Sequence, residues 1–235
     1  MSHLKSRLMI LPVICLLGLA LAGAALVIAA QDNVTEVGNT TDGRNSIEII
    51  GTVQQNTFNV VFAGYVTHIE GVSDEALFAE GTLPFARGEA AARFTFQGTG
   101  EAYARSVLEN LTTTAANVTI DFYFSETAPG ASFDDLASFI GETLIASQTA
   151  RFQNVINVQE PNVGVFMMHG TTEQQIAEPF ILGDVTYQLG HVGLVGRSEN
   201  FGQGFRSSEE PLTAHYVVVG NIVAPAVGGT ASKAN

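Results

Sequence analysis

Beyond residue 46 the chain alternates apolar and polar side chains with a period of two, the pattern of pleated strands with one buried face. The clearest stretch sets Ala92, Phe94 and Phe96 against Arg93, Thr95 and Gln97. A second sets Val118, Ile120, Phe122 and Phe124 against Thr119, Asp121, Tyr123 and Ser125. Phe58, Val60, Phe62, Gly64 and Val66 share a face, although Val61, Ala63 and Tyr65 make the opposite face partly apolar. Strands are also expected over Ile47–Val53, Thr143–Val158, Val163–Gly170, Val185–Gly196 and Thr213–Val223, and residues 100–112 read as a continued strand. The run Val217, Val218, Val219 fits a strand covered on both faces. Turn chemistry separates the runs at Gln55-Asn56, Pro129-Gly130, Pro161-Asn162, Gly183-Asp184 and Glu210-Pro211. Helical signal is scarce: a short helix over Ser132–Ile140 capped by Ser132, and one turn over Ser73–Phe78.

Strands that follow one another without crossover helices imply an antiparallel, all-β protein. The expected architecture is a barrel of about 8–10 strands, calycin-like in outline, because closure removes exposed edges. A two-sheet β-sandwich is the rival. Long strands near Phe58–Ile69 and Thr143–Val158 favour the barrel, whose tilted strands are long and bend at glycines such as Gly64.

The N-terminus has a different pattern. Lys5 and Arg7 precede an unbroken apolar run from Leu8 to Ala30, followed by the polar stretch from Gln31. A basic start, a greasy middle and small residues at the end describe an export signal. The run exceeds the usual signal core of about 7–15 residues and reaches the roughly 20 needed to span a bilayer. Residues 1–30 are therefore expected to form a leader helix, either cleaved as a signal peptide or retained as a signal anchor. Residues 31–46 read as a flexible polar stalk, residues 47–223 as one β domain, and residues 224–235 as a disordered tail.

Composition narrows the chemistry. Cys15, inside the leader, is the only cysteine, so the mature chain has no thiol for catalysis, disulfides or thiolate-bound metal. The formal net charge is −13, and without Lys5 and Arg7 it falls to −15. Such a chain repels phosphate backbones and anionic surfaces, which argues against nucleic acid; membrane contact is expected only through an uncleaved leader. The absence of tryptophan removes the G-x-W lipocalin signature and weakens a sugar-binding module.

His68, His169 and His191 lie near expected strand ends, each in phase with inward residues, and would form a metal site if they met at a barrel mouth. No H-x-H or HExxH motif supports that, and strand-end histidines bonded to backbone are commoner. Asp74-Glu75, Asp134-Asp135 with Glu142, and Glu209-Glu210 offer carboxylates of the kind calcium takes, without EF-hand spacing. Neither a G-x-S-x-G elbow nor a phosphate-binding glycine loop occurs, and no cofactor is expected. Phe62, Phe94, Phe96, Phe122, Phe124, Phe152 and Met167 are expected to line a core or an apolar pocket.

The reading is an exported, non-enzymatic β domain that binds a small apolar ligand or a protein partner outside the membrane. One alternative is a secreted barrel hydrolase or cyclase/isomerase using His68, His169, His191, Arg93 and Glu70. A structural or adhesive role in the cell envelope is another.

Overall fold

The computed structural model describes residues 34–226. The leader, residues 31–33 and the tail beyond Ala226 lie outside the described residues, so the leader helix, its cleavage and its anchoring stay sequence expectations. Among the described residues no helix is long and apolar enough to cross a membrane.

The strands are β1 (Val34–Val37), β2 (Ile47–Asn56), β3 (Asn59–Ile69), β4 (Phe94–Leu108), β5 (Leu111–Phe124), β6 (Thr143–Glu160), β7 (Val163–Ala177), β8 (Pro179–Leu182), β9 (Val185–Leu189), β10 (Val195–Glu209) and β11 (Leu212–Val223). Strands β2 to β7 pair in sequence order, β7 pairs with β10, and β10 with β11. A ladder from β11 back to β2, with Val218 opposite Gly51, closes an eight-stranded antiparallel barrel. The sandwich alternative falls, since that ladder leaves the eight strands no free edge. Strands β1, β9 and β8 form a separate small sheet.

The two ends of the barrel are built differently. One carries only tight hairpins, turning at Thr57, Glu109 and Asn162, all with positive φ, and at Glu210-Pro211. The other receives the long connections 70–93, 125–142 and 178–194. Phe180 of β8 packs there on Phe94 and Phe124, with centroids 5.5 and 5.2 Å away, and Tyr187 of β9 stacks on Phe180. This aromatic plug closes the long-loop end. The same connections cover the outside of β3 and β4: Tyr65 meets Phe78 and Phe133, and Thr95 Oγ1 donates to the carbonyl of Phe139 at 2.7 Å.

Inside, Phe62, Phe96, Phe122 and Phe152 are all buried. Gly51 and Gly64 are cross-strand partners, and a Cβ on either would strike the ring of Phe96. Their bare backbones make the flat seat on which that ring rests.

Several expectations are corrected. The stalk over 31–46 contains strand β1, and Thr40 and Ser46 are buried, with Thr40 N–H donating to the carbonyl of Ala224 at 2.9 Å. Ala224, Pro225 and Ala226 are pinned by the same pairing, so these three residues do not belong to a disordered tail. Backbone pairing outweighs a polar, aperiodic composition here. Val185–Gly196 is two strands, because Gly190 and Gly193 take positive φ and turn the chain between them. The helix over 132–140 shrinks to a 3-10 turn, Leu136–Phe139, capped by Asp135 rather than Ser132. Phe58 sits in a hairpin turn and is exposed.

Candidate functional site

The four hairpins leave one end of the barrel open. Register decides what lines that mouth. A bulge between Ala102 and Ala104 places Arg105 opposite Thr114, on the inward phase of β5 shared by Ala116 and Val118. Tyr216 shares the inward phase of β11 with Ala214 and Val218. Together with Gln55, Ile156, Val163 and Phe205 they line a cavity of about 120 Å³. Its deeper wall, at Tyr216 and Ile156, is shared with an inner void bounded by Phe62, Phe166 and Met168. A further void reaches Phe96, Phe122, Thr172, Ser198 and Asn200. Each of these voids is about 30 Å³, so the lumen is mostly filled and only its upper part is hollow.

The electrostatics of the mouth oppose those of the chain. Its lining holds Arg105 and Arg206 and no carboxylate, in a protein with 23 acidic and 10 basic residues. Arg206 is occupied: Nε donates to Asn162 Oδ1 at 2.9 Å and Nη2 lies 2.8 Å from Glu209 Oε1. Arg105 has no ion-pair partner among the described residues. Tyr216 donates its hydroxyl to Gln55 Oε1 at 3.2 Å. Burial pushes the Tyr216 phenol above its ordinary value, and the charge of Arg105 pulls it partly back.

The lumen also has acceptors without donors. Asn154 gives its amide to Thr114 Oγ1 at 2.9 Å, but its Oδ1 has no partner; Gln148 Oε1 and Asn200 Oδ1 are in the same position. Buried carbonyl oxygens of this kind are costly unless water or a ligand supplies a donor.

The expected pocket-lining residues divide. Phe62, Phe96, Phe122 and Phe152 do face the inner voids, while Phe94 and Phe124 belong to the aromatic plug. Met167 points outward and is 49% exposed, whereas Met168 is buried and lines the lumen. The expected phase of β7 was off by one residue because both of its faces are apolar. Met167 belongs to an outer row, Val155–Met167–Phe201–Val219–Ile50, formed by cross-strand partners on five adjacent strands.

The three histidines do not meet. His68 Nδ1 lies 2.9 Å from Asp74 Oδ1, His191 Nδ1 lies 2.7 Å from Glu36 Oε1, and His169 is exposed on the outer face of β7. Among the described residues no group of three His, Cys, Asp or Glu could hold a metal ion. Arg93 serves the fold, donating to the carbonyls of Ser125 and Ala76 with its guanidinium over Phe124. Glu70 lies 3.7 Å from His68, so these two members of the enzyme alternative's polar set do approach, whereas His169 is exposed on β7, His191 pairs with Glu36 and Arg93 is held by backbone carbonyls.

Sequence reasoning missed Arg105 and Tyr216. For Tyr216 the available signal was its alternation with Ala214 and Val218 beside a hairpin turn; Arg105 offered none, because a bulge sets its phase. A wider groove of about 710 Å³ lies open on the outside of β4–β7, lined by Thr99, Thr119, Thr149, Arg151 and Glu173. It is shallow, so a ligand there would bury little surface, and the mouth is the better candidate. No family model matches the chain, and neither a curated protein nor a solved structure matches it.

Proposed function

We propose that the protein is an exported, non-catalytic carrier or sensor that takes a small, largely apolar molecule into the hairpin end of its barrel. The observation that carries this reading is the asymmetry of the lumen. One end is plugged by Phe94, Phe124 and Phe180, and the other opens through about 120 Å³ onto apolar walls with unpaired acceptors below. The size limits the ligand to a few carbon atoms' worth of body, well under the roughly 300–1,000 Å³ of drug-sized sites. Export rests on the basic and apolar leader of residues 1–30.

Titration calorimetry with hexanol tests the reading. Saturable binding is expected for the natural sequence and its loss for Ala214→Phe, which fills the mouth from a buried position. Absence of saturable binding to the natural protein, or undiminished binding to Ala214→Phe, overturns it.

The outer row favours a second reading, a protein contact. A second copy of the chain is the occupant proposed, because the row is apolar with Met167, Phe201 and Val219 exposed and carries no carboxylate, so two such rows meet without opposing like charges directly, against the general repulsion of a net charge of −13. Sedimentation across a concentration series is expected to show association that Phe201→Ser abolishes. A monomer at every concentration contradicts it.

A further inference from the structure

Resting on the pocket reading, we infer that the ligand is a short amphipathic carboxylate, its anionic head held by Arg105 at the rim and its hydrocarbon body lowered past Tyr216 towards Met168. The sign of the mouth favours an anion. A chain so poor in basic residues places two arginines and no Asp or Glu around one cavity. One of the two, Arg206, already holds Asn162 and Glu209. Arg105 is the cation left over, and its planar fork matches a carboxylate with two parallel N–H donors.

The position of Arg105 is a consequence of register. Without the bulge at Tyr103, residue 104 would take the inward phase and Arg105 would point outward, away from Thr114. The bulge turns the guanidinium over the cavity, where its charge reaches the partly buried Tyr216 phenol. Below that point the wall is largely apolar, at Ile156, Phe166 and Met168, with Gln55, Thr114 and Asn154 as its polar members. A charged rim above an apolar shaft is the shape of a headgroup and a tail. Bulk acidity of the protein surface slows the approach of anions, and the local positive rim offsets that repulsion at the mouth.

The test compares hexanoate with hexanol, two probes of equal chain length that differ in head group, by calorimetry on the full exported chain. Hexanoate is expected to bind about tenfold more tightly, the gain typical of a charge-assisted contact at a partly exposed site. Raising the salt concentration is expected to shrink that ratio in the natural protein. Arg105→Gln is expected to bring the ratio to near one, and Arg105→Lys to restore part of it. Equal affinity for the two probes, or a ratio unmoved in Arg105→Gln, overturns the carboxylate assignment while the pocket reading stands. Failure of both probes to bind overturns the pocket reading, and the carboxylate assignment with it.

Discussion

Asn200 and Gly220 are cross-strand partners on β10 and β11, and the carboxamide oxygen of Asn200 occupies the space that a side chain on residue 220 would need. Gly220 is therefore a packing requirement of the lumen rather than a flexible point. Gly220→Ala is expected to cost about 1–3 kcal/mol, the range for overpacking a filled interior. The double variant Gly220→Ala with Asn200→Ser should recover most of that loss in urea unfolding. Equal stability of Gly220→Ala and the natural sequence would show that Asn200 does not hold this position.

The two adjacent methionines of β7 provide a test of register. Met168→Ala is expected to destabilise by about 2–5 kcal/mol, since it empties buried volume. Met167→Ala lies on the outer face and should change stability by about 0.5 kcal/mol or less in a monomer. The reverse order would place the opposite face of β7 inside.

Tyr216 links the mouth to alkaline pH. Its folded-state value lies above the ordinary 10.0 because burial disfavours the phenolate. The neutral ring thus contributes stability that is complete below about pH 10 and declines as pH rises through the folded value. Near-ultraviolet titration, taken as the difference from Tyr216→Phe, should show a midpoint above 10. Arg105→Gln should move it further up, since the charge of Arg105 acts to lower it. A midpoint that Arg105→Gln leaves unmoved would separate Arg105 from Tyr216.

At the other extreme of pH, Asp42 is held down to about 2 from 3.8, first by the Thr40 hydroxyl and then by the Arg44 guanidinium. Its folded value is depressed, so its contribution is present above 3.8 and lost as pH falls through about 2. Carboxyl NMR should give a midpoint of about 2, shifting towards 3.8 in Thr40→Val. A natural-sequence midpoint at the ordinary value would mean that the segment around Thr40 is not pinned as described.

What the sequence made legible followed from contrast between the two faces of a strand. Phe94–Phe96 and Val118–Phe124 alternate against polar residues, and their inward phase was readable without ambiguity. On β7 the contrast is missing: Val165 and Met167 outside are as apolar as Phe166 and Met168 inside. Period-two reasoning cannot choose between two apolar phases; only pairing with β6 and β10 does. The mouth was hidden for a related reason. Arg105 reaches the lumen through a bulge, a one-residue irregularity that alternation does not anticipate. Residues 31–46 read as a stalk because their polar sequence has no period; residues 34–46 are ordered by backbone pairing to distant residues such as Glu70 and Ala224 and by side chains such as Ser46, whose hydroxyl bonds the Ala224 backbone.

The most direct test of the open-ended barrel is methyl NMR of the protein during titration with hexanol. Saturable shifts are predicted at Ile156, Val163 and Met168, around and below the mouth, with none at Val217 and Val219 on the outer wall. Shifts confined to the outer wall, or absent from the methyl groups of all five residues at saturating hexanol, would contradict it.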